Sequence, residues 1–137
     1  MPIAPYLFFN GRAEEAAEFY RSALDAKITM LMRYSDSPEP HPPGRVAPGS
    51  ENKVMHMTLQ IGDATLHGAD DCTGAQPMFQ GFSLSLTAPD EAQARDLFAK
   101  LSDGGTVEVP LAKTFFSPLF GMAHDRFGVG WMILVQA

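Results

Sequence analysis

The sequence predicts an α+β fold in which two βαβββ modules form a cupped mixed sheet. The first observation is a strand–turn–strand pattern over residues 121–135, with a tight turn at residues 125–128. The second is a shorter hairpin of the same kind over residues 56–67. The third is that a strand and an amphipathic helix precede each hairpin, so the same order of elements is used twice. A cupped sheet of this kind is suited to surround a small molecule.

The first module is predicted to span residues 1–70. Its helix follows the Asn10-Gly11 breaker, with acidic residues in the first turns and an apolar stripe at helical spacing. The stripe consists of Ala16, Phe19, Tyr20, Ala23 and Leu24. Strands are predicted over residues 3–9, 26–34, 53–61 and 64–70. The last two are joined by a two-residue turn at Gly62-Asp63.

A proline-rich segment, residues 35–52, interrupts this module. It contains five prolines and two glycines and cannot form a helix or a central strand. Long segments of this kind are either disordered connections or loops that cover a site. The sequence leaves both alternatives open.

Residues 71–80 are predicted to link the modules, and residues 81–137 to form the second one within a single domain. Residues 81–87 alternate apolar and hydroxyl side chains, which predicts a half-buried strand. A helix is expected over residues 89–101, with Pro89 at its first position and Gly104-Gly105 after its end. Further strands are predicted over residues 106–109, 119–124 and 129–135. Trp131, Ile133 and Val135 are in phase and should face the core.

The two modules superimpose at an offset of 78 residues near their amino-terminal ends. This offset places Ala16 on Ala94 and Tyr20 on Phe98, and also Pro5 on Ser83. The matched order of elements indicates an internal duplication.

Composition excludes several classes of partner. The net charge is −6 and the basic residues are scattered singly, so nucleic acid is not an expected partner. No apolar run approaches the ~20 residues needed to cross a bilayer, and the amino terminus lacks signal-peptide features. We therefore expect a cytoplasmic protein without membrane contact. Cys72 is the single cysteine, which precludes an intramolecular disulfide, and it has no basic neighbour to activate it.

Two segments carry a family resemblance. Residues 5–20 (PYLFFNGRAEEAAEFY) and 118–133 (PLFGMAHDRFGVGWMI) resemble the opening and closing segments of PhnB-like proteins. These belong to the vicinal oxygen chelate superfamily, with glyoxalase I, extradiol dioxygenases and bleomycin-binding proteins. The resemblance implies paired βαβββ modules, a homodimer and, in the enzymes, a divalent metal held by four side chains. It places those four positions at Pro5, His67, Ser83 and Met132, of which only His67 is a good ligand.

The Gly62-Asp63 turn fixes which residues share a sheet face. With this turn Thr58 opposes His67, and His56 lies diagonally across from His67 with backbones ~7 Å apart. One face carries His56, Thr58, Gln60, Thr65 and His67. The opposite face carries Met55, Met57, Leu59, Ile61, Ala64 and Leu66, and should pack under a helix. The two histidines are either a metal or acid–base pair or part of a hydrogen-bonded polar face.

Further ligands to such a metal would have to come from elsewhere in the fold. Glu108, His124, Asp70 and Asp125 are the candidates, although Asp125 is better explained as the cap of the turn that follows it. The sequence predicts a pocket with one polar wall and an adaptable apolar lining. The pocket candidates are His56, Thr58, His67, Ser83, Phe116, Phe120 and Met132.

The leading functional hypothesis is a small-molecule-binding pocket with a degenerate metal site and no cofactor. The alternative is a divalent-metal-dependent lyase, isomerase or dioxygenase that uses His67 and His56 as ligands. A third hypothesis assigns the function to a dimer interface or to the proline-rich segment. The sequence contains no phosphate-binding glycine motif and no glycine-rich methyltransferase loop. It does not distinguish an enzyme from a binding protein.

Overall fold

The chain divides into two compact units, Met1–Pro77 and Met78–Ala137. The structure, a computed structural model, describes residues 2–37, 49–71 and 76–136. Cys72 and residues 38–48 of the proline-rich segment lie outside the described residues. The α+β class and the two βαβββ modules are confirmed, and each unit has its own four-stranded mixed sheet.

The first unit contains four strands and one long helix. They are β1 (Tyr6–Phe9), α1 (Ala13–Leu24), β2 (Lys27–Arg33), β3 (Val54–Ile61) and β4 (Ala64–Asp70). The strand order is β1-β4-β3-β2, in which β1 and β4 are parallel and the other pairs are antiparallel. A single 3-10 turn, Tyr34–Asp36, follows β2.

The hairpin β3–β4 has the predicted register. Ile61 pairs with Ala64 and Thr58 with His67, because Gly62 begins a two-residue turn with φ of +57°. The predicted helix-facing side is confirmed at its centre, where Met57, Leu59 and Leu66 are buried with Leu7 and Phe9 of β1. The apolar side of α1 packs on the same face of the sheet and leaves the polar side of the hairpin without a helix.

Asp70, at the end of β4, connects the sheet to the start of α1. Its Oδ1 accepts a hydrogen bond from the Ala13 N–H at 2.9 Å, and its Oδ2 accepts one from the Val54 N–H at 2.9 Å. Arg12, at the N-cap position, makes no side-chain cap. The buried carboxylate of a distant strand therefore provides a cap for this helix.

The second unit repeats the arrangement. Its elements are β5 (Leu84–Ala88), α2 (Glu91–Ser102), β6 (Thr106–Ala112), β7 (Phe120–His124) and β8 (Gly130–Val135). The strand order is β5-β8-β7-β6, with β5 and β8 parallel. Trp131, Ile133 and Val135 are buried as predicted.

The start of α2 differs from the prediction. Pro89 is not the first helical residue, because Asp90 forms the N-cap and accepts a hydrogen bond from the Gln93 N–H at 2.8 Å. An aspartate in this position satisfies a backbone donor that proline at the first position would leave unpaired.

The predicted role of Asp125 as a turn cap is confirmed. Its Oδ1 accepts from the backbone N–H groups of Phe127 and Val129, at 2.9 and 3.0 Å. Its Oδ2 accepts from Nε1 of Trp131 at 2.9 Å. One buried carboxylate thus ties the β7–β8 turn to the core tryptophan.

The offset between the units changes along the chain. The helices match at 78 residues, since Ala13–Leu24 corresponds to Glu91–Ser102. The strands β1 and β5 match one residue earlier, because three residues join β1 to α1 and two join β5 to α2. Ser83 therefore corresponds to Tyr6 rather than to Pro5, and a one-residue shift exchanges the two faces of a strand.

Candidate functional site

Four side chains of the first unit form a hydrogen-bonded row on the helix-free face of its sheet; we call Tyr6, His56, Thr58 and His67 the Tyr–His cluster. The Tyr6 hydroxyl is 2.8 Å from Nδ1 of His56. The Thr58 Oγ1 lies 3.2 Å from Nε2 of His56 and 3.1 Å from Nδ1 of His67. The row spans three neighbouring strands, β1, β4 and β3, which fixes the relative positions of its members.

The aromatic rings of the cluster lie against one another. The two histidine ring centroids are 5.4 Å apart, and the Tyr6 ring is 5.5 Å from His56 and 5.9 Å from His67. The planes are inclined by only 28–39°. Phe8 extends the group along β1, 5.0 Å from Tyr6, and is 55% exposed. This face offers both flat aromatic surface and hydrogen-bonding groups.

The predicted pocket residues fall into two sets, one on each unit. The first unit brings together His56, Thr58 and His67 as the register required. The second unit carries the other four: Ser83, Phe116, Phe120 and Met132. Within that unit the rings of Phe116 and Phe120 are 5.1 Å apart, and Met132 pairs with Met122 on the neighbouring strand.

Sequence reasoning missed Tyr6 as a member of the cluster. The family resemblance had placed a ligand position at Pro5, but the register aligns Tyr6 with His67 across the parallel strands. The backbone carbonyl of Pro5 instead accepts from the His67 N–H at 2.9 Å. The segment Tyr-Leu-Phe-Phe is apolar at every position, so its alternation gave no signal for which residues share the histidine face.

The residues of the cluster do not fit a resident divalent metal ion. Both ring nitrogens of His56 are in hydrogen bonds with side chains, and Nδ1 of His67 is paired with Thr58. Only Nε2 of His67 is without a hydrogen-bond partner among the described residues. Structural and catalytic zinc sites use at least three protein ligands. One imidazole nitrogen does not make such a site.

The four additional ligand candidates lie apart from the cluster or are otherwise occupied. Asp70 and Asp125 accept backbone hydrogen bonds in buried positions. Glu108 and His124 pair with each other in the second unit, Oε1 to Nδ1 at 2.5 Å. In the ranges that the structure describes, no three His, Cys, Asp or Glu side chains form a group that could hold a metal ion.

The cluster also changes the acidity of its members. Desolvation by the surrounding protein lowers the pKa of His56 below its usual 6.5, and the neighbouring His67 lowers it further. Partial burial raises the pKa of the Tyr6 hydroxyl. Near neutral pH the cluster is therefore held as a neutral imidazole next to a protonated phenol.

This shift predicts a pH dependence of stability. Because the unfolded chain binds a proton at His56 more readily, this contribution to the free energy of unfolding is present above about 6.5 and is lost as the pH falls toward the folded pKa. Titration of the histidine Cε1–H signals by NMR should give a His56 midpoint below 6.5. The His56→Gln variant should lack this component of the acid dependence. A His56 midpoint at or above 6.5 would contradict the expectation.

Comparison with known proteins places this architecture in a family. A family model described as 3-demethylubiquinone-9 3-methyltransferase matches residues 1–134. The chain belongs to this family. Its relatives include the PhnB protein from Bacillus cereus, whose structure is 29% identical over 98% of this chain and 99% of that one, with a TM-score of 0.82. The PhnB-like assignment within the vicinal oxygen chelate superfamily is confirmed.

Other members and fold relatives agree with this family. The protein PA1353 from Pseudomonas aeruginosa is 36% identical, covers 99% of this chain and 98% of its own, and has a TM-score of 0.86. YjdN from Escherichia coli K12 is 28% identical over 98% of this chain and 95% of its own. A glyoxylase/bleomycin resistance protein/dioxygenase domain from Frankia, at 12% identity and a TM-score of 0.71, shares the fold. Neither helix of the described family member is long and apolar enough to cross a membrane.

Proposed function

We propose that this PhnB-like chain binds a small aromatic molecule at the Tyr–His cluster, without a resident metal ion. The observation that carries the proposal is the pairing of partly exposed rings with a hydrogen-bonded row on the same sheet face. Tyr6 is 40% and Phe8 is 55% exposed, and both flank the histidines. Apolar surface with a few fixed polar groups is the usual composition of a small-molecule site.

The cluster offers two kinds of recognition. A planar ligand gains stacking against Tyr6 and Phe8, because aromatic pairs favour offset or inclined contact at 4.5–7 Å between centroids. Nε2 of His67 and the lone pairs of the Tyr6 oxygen are the polar groups left for the ligand. The family name refers to methyl transfer, but the sequence lacks the glycine-rich loop of such enzymes, so the proposal is based on the cluster.

Planar and saturated probes of the same outline test the stacking. We expect 2-naphthol to shift the His56 and His67 ring signals in NMR spectra, and decahydro-2-naphthol to leave them unchanged. Tyr6→Leu should weaken 2-naphthol binding by about three- to tenfold, the value of an aromatic pair. Tyr6→Phe, which keeps the ring, should weaken it less. Gln60→Ala, on the same face but outside the cluster, is the matched control. Equal binding of both probes would contradict the proposal.

Metal content tests the second part. Elemental mass spectrometry on protein purified without chelators should give far less than one ion per chain, and Zn²⁺, Ni²⁺, Co²⁺, Mn²⁺ and Fe²⁺ should leave the melting temperature unchanged. One ion per chain that is lost in His67→Ala but kept in His124→Ala would instead support the metal-dependent lyase, isomerase or dioxygenase. The two variants each remove one histidine, so a general effect of the substitution is controlled.

A homodimer, which the family resemblance implies, is part of this proposal. Sedimentation velocity at micromolar concentration should give twice the mass of the chain. A monomer at every accessible concentration would remove this part and leave the ligand proposal standing.

A further inference from the structure

The second unit carries a polar row at the place equivalent to the Tyr–His cluster, but with one side chain missing. Gly130 pairs with His124 on β7 in the way that His67 pairs with Thr58. Ser83, which precedes β5, takes the place of Tyr6. The position of the His67 ring in the first unit is therefore empty of side chain in the second, because glycine has no Cβ.

The atoms around this gap are all polar. A Cβ on Gly130 would lie 3.1 Å from Oγ of Ser83, 3.4 Å from Nε2 of His124 and 3.4 Å from the carbonyl oxygen of Phe82. Gly130 does not have the left-handed backbone that would require glycine. Its absent side chain thus leaves a depression walled by a hydroxyl, an imidazole nitrogen and a carbonyl oxygen.

Glu108 determines how His124 presents itself to this depression. The carboxylate Oε1 of Glu108 is 2.5 Å from Nδ1 of His124, so in the neutral ring the proton sits on Nδ1 and donates to the carboxylate. Nε2, on the opposite side of the ring, is then an acceptor directed at the space above Gly130. Two acceptors and one hydroxyl face the same point, which favours a ligand group that donates a hydrogen bond.

Apolar side chains border the depression on the same sheet face. Met122 and Met132 are paired across β7 and β8, two residues beyond His124 and Gly130 respectively. Thioether side chains adapt to irregular aliphatic shapes. The combination suits a molecule with one hydroxyl and a compact aliphatic body.

We infer that Ser83, His124 and Gly130 form a second small-molecule site, which binds the hydroxyl group of an aliphatic alcohol. The hydroxyl donates to Nε2 of His124 and accepts from Ser83, while Met122 and Met132 contact the carbon skeleton. This site lies on the second unit and uses none of the residues of the Tyr–His cluster. Its failure or success is therefore independent of the function proposed above.

Cyclohexanol and cyclohexyl methyl ether are the probes, since methylation removes the hydrogen-bond donor and keeps the ring. We expect cyclohexanol to shift the His124 ring signals in a saturable way, and the ether to bind at least about fivefold more weakly, the worth of one hydrogen bond. Signals of His56 and His67 should not move. Equal affinity for the two probes, or no saturable shift of His124, would overturn the inference.

Three variants locate the site. Ser83→Ala should weaken cyclohexanol binding by about fivefold, whereas Ser85→Ala, the next hydroxyl on the same face of β5, should not change it. Gly130→Ala fills the depression and should abolish binding. If Gly130→Ala lowers the melting temperature so far that it cannot be titrated, the Ser83→Ala and Ser85→Ala pair decides alone. Unchanged affinity in Ser83→Ala would contradict the site.

Discussion

Replacing Asp125 with alanine should lower the free energy of unfolding by about 4 kcal/mol, as judged from the loss of three buried hydrogen bonds to a carboxylate. The variant leaves two backbone N–H groups and the indole N–H of Trp131 without their acceptor. Urea denaturation followed by the fluorescence of Trp131, the single tryptophan of the chain, measures the change. The midpoint should fall while the slope with denaturant stays constant.

Asp125→Asn separates the contributions to this effect. Asparagine can still accept from Phe127 and Val129 through Oδ1, but its amide nitrogen then faces the Trp131 indole N–H, so two donors meet. We expect a loss of about 2 kcal/mol. In a Trp131→Phe background, followed by circular dichroism, Asp125→Asn should cost less because the opposing donor is gone. An unchanged cost in that background would show that the contact with the indole does not matter.

Replacing Asp70 with alanine should be the second most damaging change, with a loss of about 3 kcal/mol. The carboxylate is 2% exposed and accepts one hydrogen bond from the first residue of α1 and one from the first residue of β3. Its removal leaves both N–H groups in a buried place where water cannot replace the acceptor. Thermal or urea denaturation followed by circular dichroism measures the difference.

Asp90→Ala is the matched control for Asp70→Ala. Asp90 also caps a 12-residue helix, but its hydrogen bonds are exposed and local. Its removal should cost about 1 kcal/mol, the usual worth of an exposed cap. Equal losses in the two variants would contradict the interpretation that burial and the second hydrogen bond make Asp70 important.

Local patterns in the sequence were sufficient for most of the fold. The register of β3 and β4 followed from Gly62-Asp63, because a two-residue turn leaves one pairing and alternation then assigns the faces. Trp131, Ile133 and Val135 were placed in the core by the same alternation. Asp125 was assigned to its turn because aspartate bonds to backbone N–H groups a few residues ahead.

Two features of the site could not be read in this way. Tyr6 lies in a strand whose residues are all apolar, so the face of each residue became visible only from its pairing with β4. The equivalence of His67 and Gly130 was hidden because the alignment of the helices, at 78 residues, is not that of the strands. A difference of one residue in the connection before the helix is too small to detect when few identities remain.

The two helix-free faces therefore began from the same plan and carry different chemistry. In the first unit, the row from Tyr6 through His67 to Thr58 is closed by direct side-chain contacts. In the second, Ser83 and His124 face each other across a glycine. The substitution of a single residue at the centre of the row separates a surface that stacks on rings from one that receives a hydroxyl.

The different origins of the two helix caps have a consequence for the order of folding. Asp90 is three residues from the N–H that it caps, so α2 can complete its first turn before any strand has paired. Asp70 is 57 residues from Ala13, and α1 gains this cap only after β1 and β4 have come together. Nucleation of a helix is unfavourable, and a distant contact adds the entropy of closing a long loop. The carboxy-terminal unit is thus the one whose helix can form early, and the amino-terminal helix, although synthesised first, depends for its start on a strand made later.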